Sequence, residues 1–332
     1  MKTITLIITI LFNSMASTSL LAMTSAQKDI VFIAGFDEGD NTYYTNAKKH
    51  FSQLNYLVVD DIYDMAEILN WLRLHYDKSV HGNIHIVSHS NPWRGLSLKT
   101  TSDGERISEV SLKDALFNES ITPLDKTVLR YDAKIIFHSC GLGQNKSLLA
   151  VLKSAITQNN DVTIYASEEF NVFGGKYTGH YLARTYYGYY PTAQSPGPRQ
   201  LAQEFKQKYP NVKTDWESVL KTRTEQLSGD MYTYKFNIPI EWEFEFEDPD
   251  DIPEFSSKED IMDWISEIDE LKNAVEAFDI PMEKFRWLSK TNENNLTIKG
   301  KTTVMCVMQP LMRTHTTDYI PVDIESEYYV KL

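Results

Sequence analysis

Two side chains in this sequence suit covalent chemistry, and each closes a short apolar run. The first run is Asn83-Ile84-His85-Ile86-Val87-Ser88-His89-Ser90, and the second is Ala133-Lys134-Ile135-Ile136-Phe137-His138-Ser139-Cys140-Gly141-Leu142-Gly143. A thiol acting as nucleophile needs a base within hydrogen-bond reach and N–H donors for a developing oxyanion. Cys140 supplies the thiol, His89 the base, and the backbone N–H groups of Ser90 and Cys140 the donors. Gly141 and Gly143 permit a tight turn just after the thiol. A helix expected from Asn145 to Ile156 would lower the thiol pKa through its N-terminal dipole.

The same residues admit other chemistry. Cys140 and Cys306 are the only cysteines, so a structural disulfide competes with the nucleophile. Ser90 resembles a nucleophile-elbow serine only faintly, because the flanking glycines are missing. His85, His89 and His138 could ligate zinc, but no acidic or cysteine spacing completes such a site, and buried, hydrogen-bonded histidines explain His85 and His138 more simply. No metal or cofactor is called for.

Both runs read as buried strands, and the elements around them alternate with helices. Strands are expected at Asp29 to Ala34, Tyr56 to Val59, Ile84 to Val87, Ile135 to His138 and Val162 to Tyr165. Amphipathic helices are expected from Asn41 or Thr42, over Asp64 to Tyr76, and over Ser111 to Phe117. This alternation predicts a three-layer α/β/α sandwich with a mainly parallel sheet, whose strand ends share one crevice. Gly174 to Tyr190 reads as irregular surface, and Arg199 to Tyr209 and Asp215 to Leu227 as helices. Beyond a boundary near residue 229 a smaller α+β region is expected. It comprises a strand over Met231 to Glu247, helices over Ile261 to Phe278 and Met282 to Leu288, and strands over Thr302 to Met308 and Tyr319 to Tyr329.

An apolar strand ending in His and a small residue, a spacer, and a second apolar strand ending in Cys-Gly resembles the caspase-like cysteine peptidases, a group including caspases, legumains, gingipains and clostripains. Cys140 stands 51 residues after His89, and an offset of about 50 is the one known for caspases. The resemblance covers about residues 29 to 209. It implies a caspase-like fold over 27–229, a thiol protease with Cys140 as nucleophile and His89 as acid/base, and protein or peptide substrates. It also places a pocket for the cleaved residue among loops that here carry Asp37, Glu38, Glu168 and Glu169, whose charge favours a basic substrate residue. Trp93 and Arg94, just beyond His89, would cover the cleft. Ser90 stands where the family has glycine, and His138-Ser139 precede the thiol where small or acidic residues are usual. The alternative is an inactive binding or effector module with Cys140 in a disulfide.

With 33 basic and 46 acidic residues the net charge is −13, which repels nucleic acid and anionic lipid. Glu241 to Glu270 alone holds fourteen acids, read as a solvated edge strand rather than a calcium site. Residues 1–26 read as a secretory signal: Lys2, an apolar run from Ile4 to Phe12, and small residues at Thr24-Ser25-Ala26. A secreted or periplasmic protein with no membrane contact after signal cleavage is expected. Residues 230–332 form the acidic C-terminal region.

Overall fold

The computed structural model describes residues 29–37, 41–75, 83–130, 132–158 and 161–332. The expected signal segment and Glu38 lie outside these residues. The chain opens with β1 (Ile30–Ala34), α1 (Thr42–Gln53), β2 (Leu57–Ile62), α2 (Met65–His75) and β3 (Ile84–Val87). Two short strands follow, β4 (Ser90–Asn91) and β5 (Gly95–Leu96), then α3 (Glu109–Phe117), β6 (Lys134–His138), α4 (Lys146–Ile156) and β7 (Thr163–Ser167).

Helix starts are set by local chemistry. Asn41 caps α1 by accepting the Tyr43 N–H. Asp64 accepts the Glu67 N–H while the Glu67 carboxylate accepts the Tyr63 N–H, closing the first turn of α2. What holds the helices down is burial. In α4 the residues Leu148, Leu149, Leu152, Ala155 and Ile156 face inward, and each buried leucine contributes about 1.5–3 kcal/mol. Propensity differences of under about 0.7 kcal/mol per residue are the smaller effect.

The strands form a six-stranded sheet in the order β13-β7-β6-β3-β1-β2, where β13 (Tyr329–Lys331) pairs antiparallel with β7 and the other pairings are parallel. Helices α2, α3 and α4 cover one face, packing Met65, Leu69, Leu112 and Leu149 against Phe32, Ile86 and Ile135. On the other face α1 packs Tyr44, Ala47 and Phe51 against Val31, Ile33 and Val87.

A second sheet completes that face. It contains β8 (Phe170–Phe173), β9 (His180–Pro191), β10 (Tyr232–Glu245), β11 (Arg286–Asn292) and β12 (Asn295–Pro310), paired antiparallel in the order β10-β12-β9-β8 with β11 beside β12. Between its strands lie α5 (Gly197–Lys208), α6 (Trp216–Val219), α7 (Lys258–Glu267) and α8 (Asp269–Glu276). The chain on the two sides of residue 229 shares both sheets: β12 pairs with β9 on one side and β10 on the other, and β13 closes the first sheet.

Four segments differ from their sequence reading. Tyr319 to Tyr329, expected as a strand, is irregular chain and turns apart from one isolated bridge between Tyr319 and Met312, and strand structure begins only at Tyr329 with β13. Gly174 to Tyr190, expected to be irregular, contains most of β9. Met282 to Leu288, expected as a helix, is a single 3₁₀ turn leading into β11. Only Trp216–Val219 of the expected helix over Asp215 to Leu227 is helical.

Candidate active site

Strand register brings the two reactive side chains together. β3 and β6 are parallel neighbours with Val87 opposite His138. His89 and Cys140 each lie two residues further on, level at the carboxyl edge of the sheet. The Ser90 hydroxyl donates to the Cys140 carbonyl over 2.7 Å and ties the strand ends together. Both side chains line one cavity of about 450 Å³, walled by these strand ends and by Phe170, Tyr232, Tyr234 and Phe236 of the second sheet. A larger cavity, about 730 Å³, lies between Tyr187–Tyr189, α5 and the segment after α8, and holds neither residue.

The turn after the thiol needs its glycines. Gly141 has φ +65°, the left-handed region. A Cβ on Gly143 would lie 2.6 Å from the Ala166 carbonyl oxygen and 2.8 Å from the Glu168 nitrogen, so glycine is what lets this turn pack on the end of β7. A 3₁₀ turn over Leu142–Gln144 follows, and α4 starts only at Lys146. The thiol therefore does not sit on the first turn of a helix, contrary to the expectation from sequence. Burial decides its state instead: Cys140 is 9 % exposed, and its pKa is pushed up to about 12. The Sγ–H donates to the Asn171 carbonyl at 3.5 Å. Cys140 and Cys306 are both free thiols, so the expected alternative of a disulfide between them is not what the structure holds.

His89 is held by the first turn of α1. Tyr43 stacks on its ring at 4.2 Å between centroids, and Tyr44 meets it edge-on at 4.9 Å. The His89 N–H donates to the Tyr44 hydroxyl, which in turn donates to Asp37. Asn41 Nδ2 lies 2.8 Å from His89 Nε2. Because Asn41 Oδ1 is occupied as the α1 cap, it is the amide N–H that faces the ring, so Nε2 accepts and the proton sits on Nδ1. Burial, and the positive charge of Arg106, lower the His89 pKa, against Asp37 which raises it. The resting pair is thus a neutral thiol and a neutral imidazole, with no hydrogen bond between them among the described residues.

The remaining expected site residues divide. Asp37 and Arg94 line the cavity with Ser90. Trp93 does not cover the cleft: its Nε1–H donates to the Phe278 carbonyl and its ring packs on Tyr187 and Phe236, fastening the loop after β4 to the second sheet. Glu168 and Glu169 lie outside the cavity lining, and Glu169 pairs with Arg184 of β9 at 3.1 Å. The acidic pocket expected from sequence is reduced to Asp37. Asn41, Tyr43, Tyr44, Arg106, Asn171 and Arg223 are site residues that the sequence did not single out.

His85 Nδ1 and His138 Nε2 are 2.8 Å apart and bonded to each other rather than aimed at an ion. Among the described residues no group of three or more His, Cys, Asp or Glu side chains is placed to hold a metal. Nor is any described helix long and apolar enough to cross a membrane. No protein-family model, curated protein or solved structure matches this chain.

Proposed function

We propose that the protein is an exported caspase-like cysteine endopeptidase, with the three-layer fold of that group, acting through Cys140 and His89 on protein or peptide substrates. The observation that carries this reading is the register that sets the two side chains level on adjacent parallel strands, facing one cavity. The sulfur attacks the scissile carbonyl carbon as the S–H proton passes to His89, so C–S bond formation and proton transfer are coupled. The backbone N–H groups of Ser90 and Cys140 receive the oxyanion. Collapse breaks the C–N bond, His89 returns its proton to the leaving amine, and water, deprotonated by His89, hydrolyses the thioester. The substrate displaces the thiol from the Asn171 carbonyl and the imidazole from Asn41.

A second reading, an inactive module that binds peptides, draws on those same two contacts, because each occupies a group that catalysis must free. Hydrolysis of a mixed fluorogenic peptide library separates the two. Cys140→Ala and His89→Ala should abolish turnover while Cys306→Ala retains it. Turnover that survives Cys140→Ala overturns the peptidase reading. No turnover, together with no covalent capture of a peptidyl electrophile at Cys140, establishes the second reading.

A further inference from the structure

The peptide unit joining Ser139 to Cys140 is gripped at one end and unpaired at the other. Asn171 of β8 is 2 % exposed, and its Nδ2–H donates to the Ser139 carbonyl at 3.1 Å. A carbonyl oxygen can only accept, so the amide orientation is fixed. Oδ1 points the other way and accepts from His180 Nε2 at 3.0 Å, which places a ring proton on Nε2. His180 is held in turn by stacking on Phe173, with centroids 4.1 Å apart and planes 14° apart. Phe173 lies opposite His180 in the β8–β9 pairing, and Asn171 shares a face of β8 with Phe173, so Asn171 and His180 are diagonal neighbours. Both ends of this buried amide are therefore occupied, one by β9 and the other by the strand end that carries the thiol.

The Cys140 N–H is the other end of that peptide unit. Cys140 lies outside every helix and strand, and its N–H has no acceptor among the described residues, whereas the next N–H, of Gly141, donates to the Glu169 carbonyl at 3.2 Å. A buried backbone N–H without an acceptor is rare. This one belongs to a residue that lines the cavity of about 450 Å³. Hydrogen bonds in a chain polarise one another, and a donor on the Ser139 oxygen draws density from the amide nitrogen and makes its N–H the better donor. The run from His180 through Asn171 and the Ser139 carbonyl thus ends on a donor with nothing to meet in the substrate-free protein.

We propose that Asn171, held by His180, is a positioning residue that orients the Ser139–Cys140 peptide unit and strengthens its N–H as the donor to an oxyanion in the cavity. Its effect on catalysis rests on the peptidase reading above; the strengthened donor does not. The competing account is a merely structural tie between the end of β6 and β8. A tie stabilises the substrate-free and substrate-bound protein alike, whereas an oriented donor acts on an oxyanion that exists only in the tetrahedral state.

The test compares the full chain with Asn171→Leu, which keeps the side-chain volume and neither hydrogen bond. On a cleaved fluorogenic peptide kcat should fall about 10-fold, short of the roughly 10²- to 10³-fold of deleting an oxyanion donor outright, with KM almost unmoved. A peptidyl aldehyde adds the thiol across its C=O, sulfur to carbon and proton to oxygen, and sets that oxygen where the oxyanion forms. Its affinity should fall by the same factor, and that of the matching peptide alcohol, which cannot add, should not. Iodoacetamide labelling of Cys140 in a Cys306→Ala background should keep its rate, because it builds no oxyanion and the Asn171 backbone carbonyl still holds the thiol. An unchanged kcat, a rise in KM alone, or aldehyde and alcohol affinities falling together overturns the positioning role. If Asn171→Leu fails to fold, His180→Phe, which keeps a ring on Phe173 and removes the donor that orients the amide, should lower kcat by a smaller factor; an unaltered kcat there overturns the proposal. Should no peptide be cleaved and no aldehyde captured, the peptidase reading falls and NMR of the folded variant decides the donor. The Ser139 carbonyl ¹³C and Cys140 amide ¹⁵N resonances should then both move upfield. Upfield shifts uphold the strengthened donor and remove only the peptidase reading; resonances that stay in place remove the donor too.

Discussion

Alkylation of Cys140 in the substrate-free protein should be slow at neutral pH, which is not the behaviour of a thiol already paired as an ion with its base. Burial takes the pKa from 9 to about 12, against a smaller lowering from the Asn171 backbone. Near neutral pH the thiolate fraction then falls by about a thousandfold. A more basic thiolate is also a better nucleophile, and a Brønsted slope of about 0.4–0.5 restores roughly 20-fold. The net expectation is alkylation about 50-fold slower than for an exposed cysteine, before any steric effect of the 9 % exposure. Iodoacetamide labelling followed by mass spectrometry, in a Cys306→Ala background that leaves one thiol, measures this rate. It should climb about tenfold per pH unit through the alkaline range. A plateau near pH 7, or a rate at neutral pH matching a free cysteine peptide, would show a preformed thiolate–imidazolium pair and refute the coupled proton transfer. A peptidyl electrophile that fills the cavity should label faster than iodoacetamide, since only it displaces the sulfur from Asn171.

Three further outcomes are expected. Acid should loosen the contact between the two sheets: His138, buried and stacked on His85, is held well below its ordinary pKa by burial, and burial lowers that of His180 to about 3. The unfolded chain takes up protons below about pH 6.5 that the folded chain refuses, so stability falls from there towards pH 3. His180 alone then costs about 2 kcal/mol at around pH 5, and a urea midpoint unchanged between pH 8 and pH 5 would contradict it. Asn41→Ala should cost about 1 kcal/mol as a lost helix cap and raise the His89 pKa, because the donor that favours the neutral ring is gone. Asn41→Asp should keep the cap yet move the ring proton to Nε2, a change that ¹⁵N shifts of the imidazole read directly; an unaltered tautomer would show that Asn41 does not set it.

The central strands were legible because each is mostly apolar, interrupted only by the buried histidines His85 and His138. Ile30–Ala34, Ile84–Val87 and Ile135–His138 are buried on both faces, as parallel strands under helices must be. β9 was not legible for a related reason. It lies inside the second sheet and presents tyrosines to both sides: Tyr186 and Tyr190 pack with Phe205 and Trp216, and Tyr189 packs with Ile238 and Val304. With no polar face there is no period-two alternation, and the glycines before it mimic a loop. β11 escaped similarly, since its pairing with β12 is what makes it a strand.

The site was legible to the same depth and no further. Cys140 and His89 end their own strands, so each could be found from its own neighbourhood, and parallel register does the rest. The groups that decide their protonation come from elsewhere. Asn41 and Tyr43 reach His89 because α1 starts over the end of β3, and Asn171 reaches Cys140 because β8 doubles back beside the thiol. Glu169 shows the converse. It sits beside the cleft along the chain, yet a strand eleven residues further on supplies Arg184 and draws the carboxylate away. The charge that a substrate meets is therefore set by pairings between distant segments, and a pocket that reads as acidic residue by residue is lined by arginines once those pairings form.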